Sequence, residues 1–267
     1  MFKASNYMLV ESLEQAYELN QAKNATIVGG MMWLKMSRRS FKTIIDLSGL
    51  QLNQIIEEED VFSIGCMTTL RQLELHEGLN QIFDDCFKKA VEHIVGVQFR
   101  NTATIGGSVY GRYGFSDVLT MLMCLDSYVE LYKGGIVSMA EFATMPYDSD
   151  IVVRVIVKKN GARVSYLTQR LSETDFPILA CSVAHSDVGW KIAIGARPKK
   201  AIVIEPEMPE GIEGMNNGDE IIADIAENIA KTIAFESNMR GSSEYRQLLC
   251  KVLVTRGIQE IIEREGK

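Results

Sequence analysis

Clustered basic charge, paired cysteines and long apolar runs are all missing from this 267-residue sequence. Its 28 Lys and Arg are outnumbered by 35 Asp and Glu, a formal net charge of −7. A nucleic-acid surface needs clustered cations to neutralise phosphates, so that class of partner is excluded. The five cysteines (Cys66, Cys86, Cys124, Cys181, Cys250) are scattered and odd in number. None forms a CxxC pair, so neither zinc nor iron–sulfur ligation is expected of this chain, and they read as buried free thiols. The three histidines, His76, His93 and His185, are isolated and read as structural. No stretch approaches the ~20 apolar residues of a membrane span. The N-terminal MFKASNYMLVESLEQ turns polar too early for a secretory signal, so a cytoplasmic chain without membrane contact is expected.

What is present is an ordinary globular mix, 46% apolar and 24% charged, long enough for two or three small domains. Ser12 to Gln15 is a capping-box pattern that predicts a helix over about 12–20. Thr26-Ile27-Val28 reads as a strand ending at Gly29-Gly30, Met31 to Met36 as a short buried helix, and Thr43-Ile44-Ile45 as a second strand. Ile55-Ile56 and Val61 to Ile64 flank an acidic turn and predict a hairpin. Thr69 and Gln72 open a helix, and Asn80 to Val95 reads as a longer one. Val118 to Leu125 is an apolar helix capped by Ser116 or Asp117, followed by an alternating strand over Tyr128 to Tyr132. From about residue 150 the texture becomes a series of strands: Ile151–Val157, Arg163–Leu167, Ile178–Ala184 and Val188–Ile194. Residues 205–220 read as a surface loop, and helices over about 221–234 and 243–263 close the chain. Boundaries near 57 and 155 give units of 1–57, 58–155 and 156–267, the last an antiparallel sheet with helices, for an α+β protein.

Two glycine pairs organise the first two units: Ile27-Val28-Gly29-Gly30, and Thr104-Ile105-Gly106-Gly107 within FRNTATIGGSVYGRYGFSD. Each is read as the end of a β-prone run. A tight turn needing positive φ explains either pair alone. Paired glycines also let a backbone approach an anion and point N–H groups at it, and two such turns could grip an extended ligand with a diphosphate at its middle. Neither is a Rossmann GxGxxG, and no Walker lysine follows.

The run Arg100-Asn101-Thr102-Ala103-Thr104-Ile105-Gly106-Gly107-Ser108, with Asp117 in register, resembles the R-N-x-A-T-I-G-G-N signature of the flavin-binding medium subunits of molybdenum hydroxylases. That family includes the xanthine and carbon monoxide dehydrogenases. Val28-Gly29-Gly30-Met31-Met32-Trp33 stands where the family has A-G-G-T-D-L, and Ser243-Glu244-Tyr245-Arg246 followed by Thr255-Arg256 resembles its C-terminal motif. The resemblance implies two small α/β subdomains of the vanillyl-alcohol-oxidase-like (PCMH) type that bind FAD. Both glycine turns would wrap the pyrophosphate with backbone N–H groups, Thr104 and Ser108 would be among the cofactor-binding residues, Ile105 would lie near the isoalloxazine, and Asp117 would hydrogen-bond the ribitol or the flavin side with Ser116 beside it. It also implies partner chains carrying iron–sulfur clusters and molybdopterin. Electrons would pass through FAD as a hydride to NAD⁺, or singly to another acceptor.

The sequence departs from the family pattern at four places, one of them after the third-domain strand, where the family often has a lysine and Tyr166 to Arg170 offers only Gln169 or Arg170. Met31-Met32 removes a hydroxyl and a carboxylate, and Ser108 replaces Asn. The loop from Gly111 to Phe115 offers Arg112 to a phosphate, or Tyr113 and Phe115 to a flat ring. Two other readings stay open: a flavin-free assembly subunit of such a complex, and a stand-alone flavin oxidase.

Overall fold

A computed structural model describes residues 2–209, 211–212, 215 and 217–266. The chain opens with β1 (Lys3–Leu9), α1 (Leu13–Asn20), β2 (Ala25–Val28) and β3 (Ser40–Asp46). The strands form a parallel sheet in the order β1-β3-β2. The Ser12 hydroxyl accepts the Gln15 N–H at 3.1 Å, the expected cap of α1. Strand β1 escapes sequence reading because all seven of its residues are exposed, so no alternation marks it. The segment after Gly30 is not the expected buried helix. Only Leu34–Met36 winds, as a 3-10 turn, with Met36 74% and Trp33 52% exposed.

The middle unit is a five-stranded antiparallel sheet in the order β4-β5-β8-β6-β7. Its strands are β4 (Ile55–Glu57), β5 (Val61–Gly65), β6 (Ser127–Leu131), β7 (Gly135–Ser138) and β8 (Val152–Lys158). Strand β8 pairs with β5 and β6, so the stretch read as opening the last sheet belongs here and runs through residue 155. Between β5 and β6 come α2 (Leu70–Leu75), α3 (Glu77–Ile82), α4 (Cys86–Val91), α5 (Val97–Arg100), α6 (Ile105–Tyr110) and α7 (Asp117–Cys124). The short α8 (Met139–Thr144) follows β7. The long helix expected over Asn80–Val95 is broken, because Asp84 and Asp85 take left-handed φ of 52° and 62°. The bend is held in place: the Asp84 carboxylate accepts the Val164 N–H at 3.0 Å, and Asn80 Oδ1 accepts the Lys88 N–H at 2.9 Å.

The last sheet is antiparallel, in the order β12-β11-β10-β9. Its strands are β9 (Arg163–Gln169), β10 (Leu179–Ser186), β11 (Gly189–Gly195) and β12 (Ile202–Ile204). Helices α9 (Gly218–Thr232) and α10 (Ser243–Glu265) belong to the core formed with Leu179, Cys181, Val183, Ile192 and Ile194. The alternate residues Ala180, Ala184 and Ala193 join the core of the middle unit, where α7 packs. Two-sided burial explains why Leu179 to Ala184 is a nearly continuous apolar run rather than an alternating one. The loop expected over 205–220 yields to α9 at Gly218, and positions 210, 213, 214 and 216 lie outside the described residues.

Candidate functional site

The first glycine pair meets the segment that leads into the second. A Cβ built on Gly29 would stand 2.5 Å from Thr104 Oγ1, and one on Gly30 would fall onto the Thr102 carbonyl. The pairing of β2 beside β3 delivers Val28 and the first turn to this spot, and Met31 leaves it at φ 54°. Among the described residues, the backbone N–H groups of Gly29, Gly30, Met31, Met32 and Trp33 find no hydrogen-bond acceptor. A run of free N–H groups at a glycine turn is a place where an anion binds. The positive φ that the bare glycine pairs suggested falls on neither pair but on Met31, so these glycines serve close approach.

The second pair differs from its expectation. Phe99 lies on α5, Thr104 is the N-cap of α6, and Gly106-Gly107 occupy the first helical turn rather than a strand end. The reason is local hydrogen bonding. Ile105 N–H goes to the Thr68 carbonyl (2.9 Å), Gly106 N–H to the Cys66 carbonyl (2.9 Å), Gly107 N–H to Thr104 Oγ1 (3.2 Å) and Ser108 N–H to the Thr104 carbonyl (3.1 Å). These N–H groups already have partners, so the two turns are unequal as anion cradles. Ile105 is fully buried in the core, which leaves only its backbone at the site. Arg100, at the head of the same motif, is buried and grips Glu74 with two bonds, Nε to Oε2 at 2.7 Å and Nη2 to Oε1 at 3.1 Å.

Ser116 caps α7, accepting the Leu119 N–H at 3.2 Å, and donates to the Ser108 carbonyl at 3.1 Å, which links α7 to α6. Asp117 is buried. Its Oδ1 accepts from the Tyr166 hydroxyl at 2.7 Å and from Arg170 Nη2 at 2.5 Å, both on or just after β9. Burial lifts this carboxyl above the ordinary aspartate range, against the pull of Arg170 and Tyr166. Asp117 therefore joins the middle unit to the last sheet.

The Gly111–Phe115 loop does not send Arg112 toward a phosphate. Arg112 is 4% exposed, donates from Nε to the Phe142 carbonyl at 2.9 Å, and lies 3.9 Å over the Phe142 ring. Tyr147 closes this cage by donating to the Gly111 carbonyl. Gly114 packs against the backbone of Lys199, where no Cβ fits. Tyr113 and Phe115 do face outward, stacked on each other at 5.1 Å.

An aromatic row that sequence reading missed begins here. Phe115 meets the edge of Phe176 at 4.9 Å, Phe176 stacks on Trp33 at 5.4 Å, and Trp33 meets Phe99 at 5.7 Å. Phe176 lies in the loop between β9 and β10 and lines a cleft of about 300 Å³ with Phe115, Pro177, Lys199, Asn238 and Arg240. The buried Arg246 guanidinium holds the Asn238 side of the cleft from behind, donating to the Ile178, Glu236 and Gly241 carbonyls and to Asn238 Oδ1. A ligand with a diphosphate and flat rings fits this donor set, with N–H groups for the anion beside exposed aromatic faces for the rings. In that fit the backbone of Gly29 to Trp33 would take the pyrophosphate, and the aromatic row would take a ring.

Comparison with known proteins agrees with this chemistry. The family model for the FAD binding domain in molybdopterin dehydrogenase matches residues 2–159, and that for the CO dehydrogenase flavoprotein C-terminal domain matches residues 169–261. The glyceraldehyde dehydrogenase medium chain of Sulfolobus acidocaldarius is 25% identical over 279 residues, spanning 96% of this chain and 98% of that protein. Quinoline 2-oxidoreductase from Pseudomonas putida 86 shares the fold at a TM-score of 0.81 and 17% identity, over 98% of this chain and 96% of that one. Carbon monoxide dehydrogenase from Hydrogenophaga pseudoflava does so at 0.79 and 20% identity, over 97% of each chain. This chain belongs to the family of FAD-binding domains of molybdopterin dehydrogenases, as an oxidoreductase subunit whose cofactor is FAD.

Proposed function

We propose that this chain is the flavoprotein subunit that passes electrons from an iron–sulfur partner to an external acceptor, NAD⁺ or another. The observation that carries the reading is the run of unpartnered N–H groups from Gly29 to Trp33, pressed against Thr102 to Thr104. FAD, when bound, exchanges electrons singly or in pairs, which suits a link between one-electron clusters and a hydride acceptor. The protein's share is binding and orientation. The first turn holds the anion, Ser116 and the buried Asp117–Tyr166–Arg170 group fix the last sheet against the middle unit, and the aromatic row shields a ring from water.

The clusters and molybdopterin belong to partner chains in this reading. All five cysteines are buried and free, and no group of metal-ligating side chains occurs among the described residues. The relative named as a medium chain supports a multi-subunit assembly. No described helix is long and apolar enough to cross a membrane, and free thiols suit a reducing compartment such as the cytoplasm. Native mass spectrometry of the complex tests the reading, and one FAD per chain with two kinds of partner is expected. Anaerobic NADH should bleach the bound flavin if NAD⁺ is the acceptor. Failure of the assembled complex to take up FAD would leave the flavin-free assembly role.

A further inference from the structure

We propose that the strip of chain from Trp33 to Lys42 is a docking surface for an acidic protein, the iron–sulfur partner, whose identity rests on the flavin-binding reading above. Residues 21–45 hold five cations, Lys23, Lys35, Arg38, Arg39 and Lys42, and no Asp or Glu, in a chain whose net charge is −7. All five side chains are exposed, and among the described residues none takes part in an ion pair. By contrast, Arg154, Lys159 and Arg163 each meet a carboxylate. Like charges held together repel, a cost to the folded chain that an acidic partner removes.

The fold gathers these charges. The parallel register sets Lys3, a further exposed cation, beside Ser40. Its N–H donates to the Arg39 carbonyl at 3.1 Å, and the Lys42 N–H donates to the Asn24 carbonyl at 2.8 Å. Lys3, Lys23, Arg39 and Lys42 therefore meet where the three strands begin. The other end of this sheet carries the Gly29-Gly30 turn, and the return from that turn to β3 covers about 13 Å, the length of the four-residue β2. Trp33 and Met36 lie along this return, 52% and 74% exposed. Aromatic residues, Met and Arg are the types enriched where proteins bind one another, and here they are interleaved on one strip. The chemistry of the partner has the complementary sign. A cluster held by thiolates carries a net negative charge, and its protein must bring it close to the flavin to pass electrons. A basic strip that begins at the Gly29–Trp33 turn meets both requirements.

The test titrates the full chain with the iron–sulfur chain of its own complex, reading the dissociation constant by calorimetry and flavin content by absorbance. Arg38→Glu combined with Arg39→Glu should weaken docking about tenfold or more and leave FAD bound. Met36→Ser should weaken it about three- to tenfold. Lys88→Glu combined with Arg256→Glu makes the same change in net charge at exposed positions on α4 and α10, and should leave docking unchanged. The natural affinity should fall as salt rises from about 50 to about 500 mM, and that of the Arg38/Arg39 variant should fall less. Equal affinity of the natural chain and the Arg38/Arg39 variant would overturn the proposal. So would an equal loss in the Lys88/Arg256 variant, which would mark net charge rather than this strip, or no binding of the iron–sulfur chain at all. Loss of the molybdopterin chain, or of self-association, in place of the iron–sulfur chain would overturn the assigned occupant. A complex without FAD in which the charge effect persists would overturn the flavin reading and leave the strip as a docking surface.

Discussion

Gly30 lies so close to the Thr102 carbonyl that no side chain fits between them. This contact holds the first glycine turn against the segment leading into α6, and with it the unpartnered N–H groups. Gly30→Ala forces a methyl group into backbone, which has no rotamer to yield. Overpacking of this kind costs about 1–3 kcal/mol of stability. Moving the turn by even a fraction of an ångström spoils several N–H contacts at once, so FAD affinity should fall about tenfold or more. Thermal unfolding and FAD titration of the variant check both effects.

Arg100 and Glu74 form a buried bidentate pair, with Arg71 adding a bond to Glu74 at 2.7 Å. Burial raises the Glu74 carboxyl, but the two arginines outweigh it and hold the group below the ordinary glutamate range. A depressed folded-state value means the pair's stabilisation is present above the unfolded value and is lost as pH falls through the folded one. The loss should set in below about pH 4.3. Removing one partner leaves a buried charge, so Arg100→Ala should cost about 3–5 kcal/mol at neutral pH. Glu74→Gln should flatten the acid limb of the stability curve. Denaturant midpoints measured from pH 3 to 7 decide the matter.

Every cysteine is buried, and burial pushes the thiols of Cys66, Cys124 and Cys250 up to about 12. Thiol reagents attack the thiolate, so the folded chain should resist Ellman's reagent at pH 8. All five groups should react once denaturant unfolds it.

How much of this was readable beforehand follows from where each signal comes from. Caps are local, and Ser12, Thr69, Thr104 and Ser116 all cap helices. Thr104 nevertheless reads as part of a β-prone run, because the bond of its hydroxyl to Gly107 leaves no trace in the residue pattern. Alternation exposes half-buried strands such as Tyr128 to Leu131, whereas the fully exposed β1 gives none. The apolar period over Asn80 to Val95 continues across a break set by Asp84 and its bonds to a strand 80 residues away. The proposed site is legible where it is a contiguous motif, as at Gly29-Gly30, whereas the helical state of Gly106-Gly107 is not. The site is hidden where it joins distant segments: Phe176 is a lone aromatic beside Pro177, and nothing local reveals Trp33 or Phe115 against it.

Arg112 separates a structural from a ligand-binding role. The sequence offered it to a phosphate, yet it is held at φ 45° with its guanidinium among Tyr110, Phe142 and Tyr147. Its Nε reaches the Phe142 carbonyl and its Nη1 the Tyr110 carbonyl, so both anchors are uncharged backbone oxygens. Lysine keeps the charge but loses the planar fork that stacks on the ring and makes these bonds together. Arg112→Lys should therefore destabilise the chain by about 1–3 kcal/mol, from lost bonds to a charged donor and a weaker cation–π contact. FAD affinity should stay within about twofold, because no phosphate depends on this residue and a twofold change is under 0.5 kcal/mol. A lowered midpoint of thermal unfolding with an unchanged FAD dissociation constant is the expected pair of results. An affinity loss of about tenfold or more, with stability unchanged, would place Arg112 on the cofactor instead.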